Sequence, residues 1–366
     1  MTGTPLRNIF YAVLPKPEAR DQRKGRRSPV RRLLVLSNGP NPTFTYYLAE
    51  RLKYTPFIAD VRNLGDGLTD IDPDGLFVIV CRYIRLRQLF WLFRNRKALA
   101  GTSLLIDDDI AATIVSKGGT LAYKAYLTAL GIAPLLLLNH ILSEVWVSTP
   151  VLAETLGRNK TSSPIVVPPY PSRDVYTPAF PSKDRQTLVM AFHATGNHDR
   201  EHEFLVPIVR DALTECPNLY FEVTVSGHKL EQLWVAAGLP RDRLRLEPSK
   251  SWKEYLYETK RRQVDIMLVP LLQNKMNDAR SSTKRFDVAR MGAAAIFSRG
   301  HVYGQPSGGD EIFVDNDYHA WVGAILSLAG NAELRHHARK ATRAAIKNCL
   351  AKTPHGLPLG ADKQKF

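Results

Sequence analysis

Residues 269–298 read VPLLQNKMNDARSSTKRFDVARMGAAAIFS: a buried strand ending in Pro270-Leu271, a polar loop, a hydroxyl-rich helix start, a helix, Gly292 and a second buried strand. Units of this order build open parallel sheets, where ligands meet the carboxyl ends of the strands. The following helix start offers N–H groups and the positive end of its dipole to an anion. Ser281, Ser282 and Thr283 are candidates to cap that helix and donate to a phosphate, with Lys284 adding a cation. Asp287, one turn on, is placed to accept hydrogen bonds from a ribose. An ordinary capped surface helix has the same local features.

On both sides the alternation continues. Runs at 187–196 (TLVMAFHATG), 220–227 (YFEVTVSG) and 264–271 (VDIMLVPL) read as strands, and 202–213 and 318–350 as helix. Upstream, 33–36 (LLVL), 75–82 (GLFVIVCR), 103–111 (SLLIDDDIA), 144–148 (EVWVS) and the short run at 165–168 (IVVP) read as strands, with helix between 82 and 100. Strands alternating with helices at this spacing predict parallel sheets covered on both faces. Between the halves, 164–181 (PIVVPPYPSRDVYTPAFP) holds six prolines, a composition expected to carry neither helix nor interior strand. The expected division is a basic arm at 1–32, an N-terminal α/β domain at 33–170, a linker at 171–184, a C-terminal α/β domain at 185–350 and a loose tail at 351–366.

A chain of 366 residues with 44% hydrophobic content is ordinary globular material with room for two cores. Its net charge of +15 suggests a polyanionic partner without naming its class. Cys81, Cys216 and Cys349 are few and scattered, which speaks against a disulfide framework and a thiolate metal site and fits a reducing compartment. Residues 1–19 lack the pattern of a signal peptide. The apolar run at 125–138 is interrupted by Gly131 and Pro134 and is expected to be too short to span a bilayer. A cytoplasmic protein, free or peripheral on the inner face of the membrane, is the expectation.

The segment 269–298 resembles the donor-binding segment of retaining GT-B glycosyltransferases of the group-1, GT4-like kind. The matching features are Pro270-Leu271, the small residues and lysine at 281–284, Asp287 five before Gly292, and the small-apolar strand 293–298. Tyr303, residues 310–317 (DEIFVDND), 320–325 (AWVGAI) and 331–335 (NAELR) are similar to that family's closing elements. The family usually carries two glutamates eight apart; here Asp287 stands for the second and Ala279 for the first. The resemblance implies an α/β protein of GT-B architecture, two Rossmann-like doubly wound domains facing each other across a cleft. It implies sugar transfer from a nucleotide-sugar donor, with no bound metal or cofactor. Its first strand-to-helix loop in the donor domain would bring His193, His198 and Arg200 to the diphosphate.

Three further constellations stand out. His198 and His202, four apart on a helix beside Glu201 and Glu203, also admit a zinc reading. Asp107, Asp108 and Asp109 end a buried strand; Asp107 and Asp109 match the metal-holding DxD of the GT-A class. In a GT-B protein, Asp108 or Asp109 would instead position an acceptor hydroxyl or the sugar, and Asp109 also reads as a helix cap. The run 82–97 (RYIRLRQLFWLFRNRK) carries six cations and no acid. On a helical wheel Leu86, Leu89, Phe90 and Phe93 share the stripe expected to face the core, leaving Ile84, Arg87, Trp91 and Arg94 as candidates for contact with an acidic membrane surface. A doubly buried helix is the alternative.

These readings converge on a glycosyltransferase with Lys284 and Asp108 or Asp109 as catalytic candidates, acting on a saccharide or lipid-linked saccharide acceptor of envelope polysaccharide or glycan synthesis. A GT-B-fold nucleotide-sugar epimerase is one alternative. A basic nucleic-acid-binding protein is the other, although the chain shows no nucleic-acid module.

Overall fold

The computed structural model describes residues 5–21, 23, 28–157, 163–180, 186–194, 198–304 and 310–359. Much of the cationic run in the expected arm (22 and 24–27), the end of the expected linker (181–184), the glycine turn at 195–197 and residues 360–366 of the expected tail lie outside the described residues. Two compact units divide the chain. The first is Met1–Pro171 with Ala279–Ser281 and Thr353–Phe366; the second is Ser172–Asp278 with Ser282–Lys352.

In the first unit β1 (Arg32–Ser37), β2 (Ile58–Asn63), β3 (Leu76–Cys81), β4 (Gly101–Ile106), β5 (Glu144–Val147) and β6 (Ile165–Val166) form one sheet in the order β2-β1-β3-β4-β5-β6. Every pairing is parallel. The central strands β3 and β4 are buried throughout, which is why they read as unbroken apolar runs. Leu34, Val78, Val80 and Leu104 anchor the core, each side chain worth roughly 1.5–3 kcal/mol when fully buried.

The second unit repeats the plan with β7 (Leu188–Phe192), β8 (Leu219–Val225), β9 (Leu244–Pro248), β10 (Ile266–Val269), β11 (Ala294–Ser298) and β12 (Ile312–Val314). Its parallel sheet runs β12-β11-β10-β7-β8-β9, the 3-2-1-4-5-6 order of a dinucleotide-binding fold when its strands are counted from one. The segment 269–298 forms as read. β10 is followed by a helical turn Lys275–Asp278, then the helix Lys284–Arg290, then β11. Gly292, at φ +63°, turns the chain out of that helix, and the Ala293 N–H returns to the Val288 carbonyl at 3.1 Å.

Several expectations are corrected. The proline-rich stretch does carry structure: β6, an edge strand, and a helical turn Arg173–Tyr176. Its prolines stand outside these elements, where no ladder donor is needed. Past Pro171 it packs on the second unit, Ala179 N–H donating to the Lys260 carbonyl at 2.8 Å. The described part of the tail is packed as well. Leu357 and Leu359 are buried, and buried Arg51 donates to the carbonyls of Pro354 and Gly356. Within the expected arm, Pro5–Val13 is a helix and Tyr11 donates to Asp109.

Nor do Gly131 and Pro134 break the apolar run. Leu121–Leu138 is one helical path, by length and composition sufficient to cross a membrane, with a third of it buried in the unit. A π turn at Thr128–Ile132, closed by Ala133 N–H to the Thr128 carbonyl at 2.8 Å, accommodates the donor that Pro134 lacks.

The helix Leu86–Asn95 is rotated from the expected stripe. Leu89 and Leu92 face the core, whereas Leu86, Phe90 and Phe93 are exposed. Ile84, expected at a membrane surface, precedes the helix and is buried, and Trp91 packs partly buried against the core. Arg87 and Arg94 are exposed, Arg87 donating to the Gly65 carbonyl at 3.1 Å. The inward place is taken by Gln88, whose amide donates to the Asn63 carbonyl at 3.0 Å.

Candidate functional site

Strand order reverses between β7 and β10 in the second sheet, and the carboxyl ends of those two strands are where an α/β sheet opens to a ligand. Both quoted loops leave from there. β7 ends at Phe192, and the loop beyond it begins with His193. Lys284, from the loop and helix after β10, donates through Nζ to the His193 carbonyl at 2.9 Å and to Asp287 Oδ2 at 3.0 Å. Its side chain stays 31% exposed, so its charge is held in place yet open to solvent.

Glu201 ties the two loops together. Buried in the first turn of the helix Asp199–Glu215, it accepts from the Leu272 N–H at 3.2 Å and from Asn277 Nδ2 at 2.9 Å, with His198 at 3.6 Å. Arg285, next to Lys284, is buried and paired with Glu311 at 2.9 Å, and donates to the Tyr303 carbonyl at 3.2 Å. The elements after β11 thereby brace the helix Lys284–Arg290.

Several candidate roles change on this geometry. The His193 ring is buried, its Nε2 2.7 Å from Glu222 and its Nδ1 3.3 Å from the Tyr255 hydroxyl, so the backbone carbonyl rather than the imidazole meets Lys284. Burial holds the His193 pKa below its ordinary value against the pull of Glu222. Asp287 is buried and both of its oxygens accept from cations, Oδ2 from Lys284 and Oδ1 from Arg290 at 2.6 Å. It therefore positions Lys284 in this structure instead of standing ready for a ribose.

The expected hydroxyl cap is not made: Thr283 occupies the cap position with no side-chain cap bond, and the Ser282 carbonyl accepts the Arg285 N–H at 3.1 Å. The helix it would cap has seven residues, so few aligned peptides contribute to its dipole and Lys284 supplies most of the positive potential. Arg200 is exposed and His198 half-buried. His202 is buried with Nδ1 accepting from the Trp234 indole at 2.9 Å, which gives that ring a packing role and removes it from the zinc reading.

Ser281 belongs to the first unit, where its hydroxyl shares a hydrogen bond with Tyr47. Burial, and secondarily Asp107, push the Tyr47 phenol up, so it remains a donor. In the first sheet strand order reverses between β1 and β3. Beyond β3 stands Arg82, a non-glycine residue at φ +67°. Its guanidinium lies 3.3 Å from Asp107 and 3.7 Å from Asp108, and Arg280 reaches Asp108 at 3.7 Å. Thr43 donates to Asp107 at 2.7 Å. Burial raises the Asp107 carboxyl above its usual range while Arg82 opposes the shift.

Asp109 turns away from this group: it caps the helix Ile110–Val115 through the Ala112 N–H at 3.0 Å and accepts from the Tyr11 hydroxyl at 2.6 Å. The cap reading is the one the geometry fits, and Asp107 and Asp109 are bonded to different partners rather than aimed at one ion. Sequence reasoning missed Arg82, Tyr47, Thr43 and Glu222 as site residues, and read Glu201 only as a neighbour of the zinc candidates. The only hints were the Ser-Asn-Gly-Pro turn after β1, which brings Thr43 to the strand end, and Arg280 inside the quoted segment.

No family model matches the sequence, and no curated protein sequence matches it. Solved structures do. A glycosyltransferase from Rickettsia africae superposes with a TM-score of 0.55 at 12% identity, over 87% of this chain and 94% of that one. TarM superposes with a TM-score of 0.52 at 10% identity, over 79% of this chain and 54% of its own. A variant of the S. aureus TarM, crystallised with fondaparinux, α-GlcNAc-glycerol and UDP, gives 0.50 at 9% identity, over 79% and 55%. The chain thus spans just over half the length of TarM. At such identities the likeness is one of fold. Two parallel six-stranded sheets, each reversing strand order once, and these superpositions give the chain the fold of the GT-B glycosyltransferases.

Proposed function

We propose that the chain is a nucleotide-sugar-dependent glycosyltransferase that transfers with retention, onto a saccharide or lipid-linked saccharide of envelope polysaccharide or glycan synthesis. The observation that carries this reading is Lys284, an ammonium fixed at the switch point of the second sheet by a backbone carbonyl and a buried carboxylate, with its charge still reaching solvent. In sugar transfer the bond from the anomeric carbon to the diphosphate oxygen breaks, and negative charge grows on the leaving phosphate. A cation already oriented there stabilises that charge without reorganising. His198 and Arg200, at the start of the neighbouring helix, add donors for the same diphosphate.

The first unit takes the acceptor. Asp108, balanced by Arg82 and Arg280, orients the acceptor hydroxyl, while Asp109 serves the helix it caps. Lys284 fills the place of a metal, and transfer should proceed undiminished in EDTA. The working location is the cytoplasm, at the inner face of the membrane.

The test is a transfer assay across nucleotide sugars, beginning with UDP-sugars because the S. aureus TarM structure holds UDP. Lys284→Ala is expected to lower kcat/KM by about 2–4 kcal/mol of transition-state stabilisation, roughly 30- to 1,000-fold. Asp287 keeps Arg290 as its partner in that variant, so the protein still folds. Wild-type turnover by Lys284→Ala refutes the assignment. Interconversion of free nucleotide sugars with no acceptor consumed identifies an epimerase instead.

A further inference from the structure

We propose that the first unit docks on an anionic phospholipid bilayer through an apolar face built by two helices, Leu86–Asn95 and Leu121–Leu138. The inference stands independently of the donor-site reading.

The first helix is amphipathic in an unusual sense. Its polar Gln88 is buried, while Leu86, Phe90 and Phe93 are 58%, 59% and 37% exposed. The second helix sends Leu127, Ile132, Leu135 and Leu138 into the core and leaves Leu121, Leu136 and Leu137 outside at 86%, 65% and 40%. Its last turn, Leu135–Leu138, packs beside the first helix, so Leu136 and Leu137 extend the face begun by Phe90 and Phe93. Because its other side is held in the core, the long apolar helix lies along the unit. This is the arrangement of an interfacial helix whose outer half enters the acyl boundary.

Charge selects the occupant. The chain holds no acid from Tyr83 to Ile106 or from Ile110 to Ser143. Around the exposed rings stand Arg85, Arg87, Arg94 and Lys97, all exposed, and the Arg96 guanidinium lies 4.4 Å from the centre of the Phe93 ring. A second copy of the chain would set these cations against their own kind, at an electrostatic cost. An acidic lipid surface satisfies the cations at headgroup depth and the leucines and phenylalanines below it.

The experiment is co-sedimentation of the full chain with phosphatidylcholine vesicles, with and without phosphatidylglycerol. Wild type is expected to bind the anionic vesicles only, and to detach as salt rises. Phe90→Ser with Phe93→Ser, and separately Leu136→Ser with Leu137→Ser, should each weaken binding by about tenfold or more. Because these side chains are exposed, both variants should melt close to wild type. Arg87→Glu with Arg94→Glu should do the same through charge alone. Equal binding by wild type and all variants, equal binding to neutral vesicles, or no binding by wild type overturns the proposal. So does a wild-type dimer in sedimentation velocity that Phe90→Ser with Phe93→Ser splits, which would make the face a contact between copies.

Discussion

Beyond β1, β3 and β4 the first unit gathers Asp107 and Asp108 against Arg82 and Arg280, whereas beyond β7 and β10 the second unit holds Lys284 against Asp287 and a carbonyl. Both places are switch points of parallel sheets, with the same opening toward a ligand. In the first Asp108 is the most exposed of the four groups, at 28% against 17% for Arg82 and 21% for Arg280, and the cations brace it. In the second the carboxylate is buried and the cation reaches out. The fold supplies the opening, and under the proposed function the sign of the residue left outermost decides which half of the transfer each opening would serve: a hydroxyl to orient, or a diphosphate to neutralise.

The largest expected effect falls on the first site. Arg82→Ala leaves Asp107 buried without its cation and should cost about 3–5 kcal/mol of stability. Arg82→Gly loses the same pair but adopts the left-handed backbone freely, and should be less damaging by about 1 kcal/mol. Urea unfolding of both variants separates the two contributions. Equal losses would mean that no strain is held at position 82.

Acid should act on the second unit. Burial, with the charge of His198 second, lowers the His202 pKa from 6.5 to about 4, and burial shifts His193 the same way. Between those values the unfolded chain binds a proton that the fold refuses. Stability therefore rises with pH through that window and is lost as pH falls through it, by about 3 kcal/mol for His202. Urea midpoints from pH 7 down to pH 4 should show this, with a flatter profile for His202→Gln, whose amide can still accept from Trp234. A profile unchanged by that substitution would remove the second unit's acid sensitivity from the comparison.

The smallest effect discriminates between adjacent acids. Asp109→Ala should cost about 1 kcal/mol as a lost helix cap, with turnover per folded molecule preserved. Asp108→Asn should leave the melting point near wild type and depress transfer. The reverse pattern would move the acceptor role to Asp109.

What the sequence disclosed follows burial. The inner strands β3, β4, β10 and β11 are enclosed on both faces and stand out as apolar runs. β2, β9 and β12 each lie at a sheet edge, half-exposed, with mixed sequences such as IADVRN and LRLEP, and gave no such signal. At the candidate site, Lys284 and the loops after β7 and β10 were legible because strand, loop and helix follow one another locally. The partners of His193 and Asp109 were not, since Glu222 and Tyr11 lie far off in sequence and only the folded chain brings them in. The helix Leu86–Asn95 was misread for a related reason. Its wheel offers two apolar stripes, and the choice between them rests on Gln88, whose buried amide reaches the Asn63 carbonyl.

The central claim is that the second unit binds a nucleoside diphosphate through Lys284. Calorimetric titration of UDP into wild type and Lys284→Ala, with EDTA throughout, tests it most directly. Wild type should bind, and the variant should bind at least about tenfold more weakly, the scale of one charge-assisted phosphate contact, while melting near wild type. Equal affinity in the two proteins, or no binding of UDP or any other nucleoside diphosphate by wild type, would contradict it.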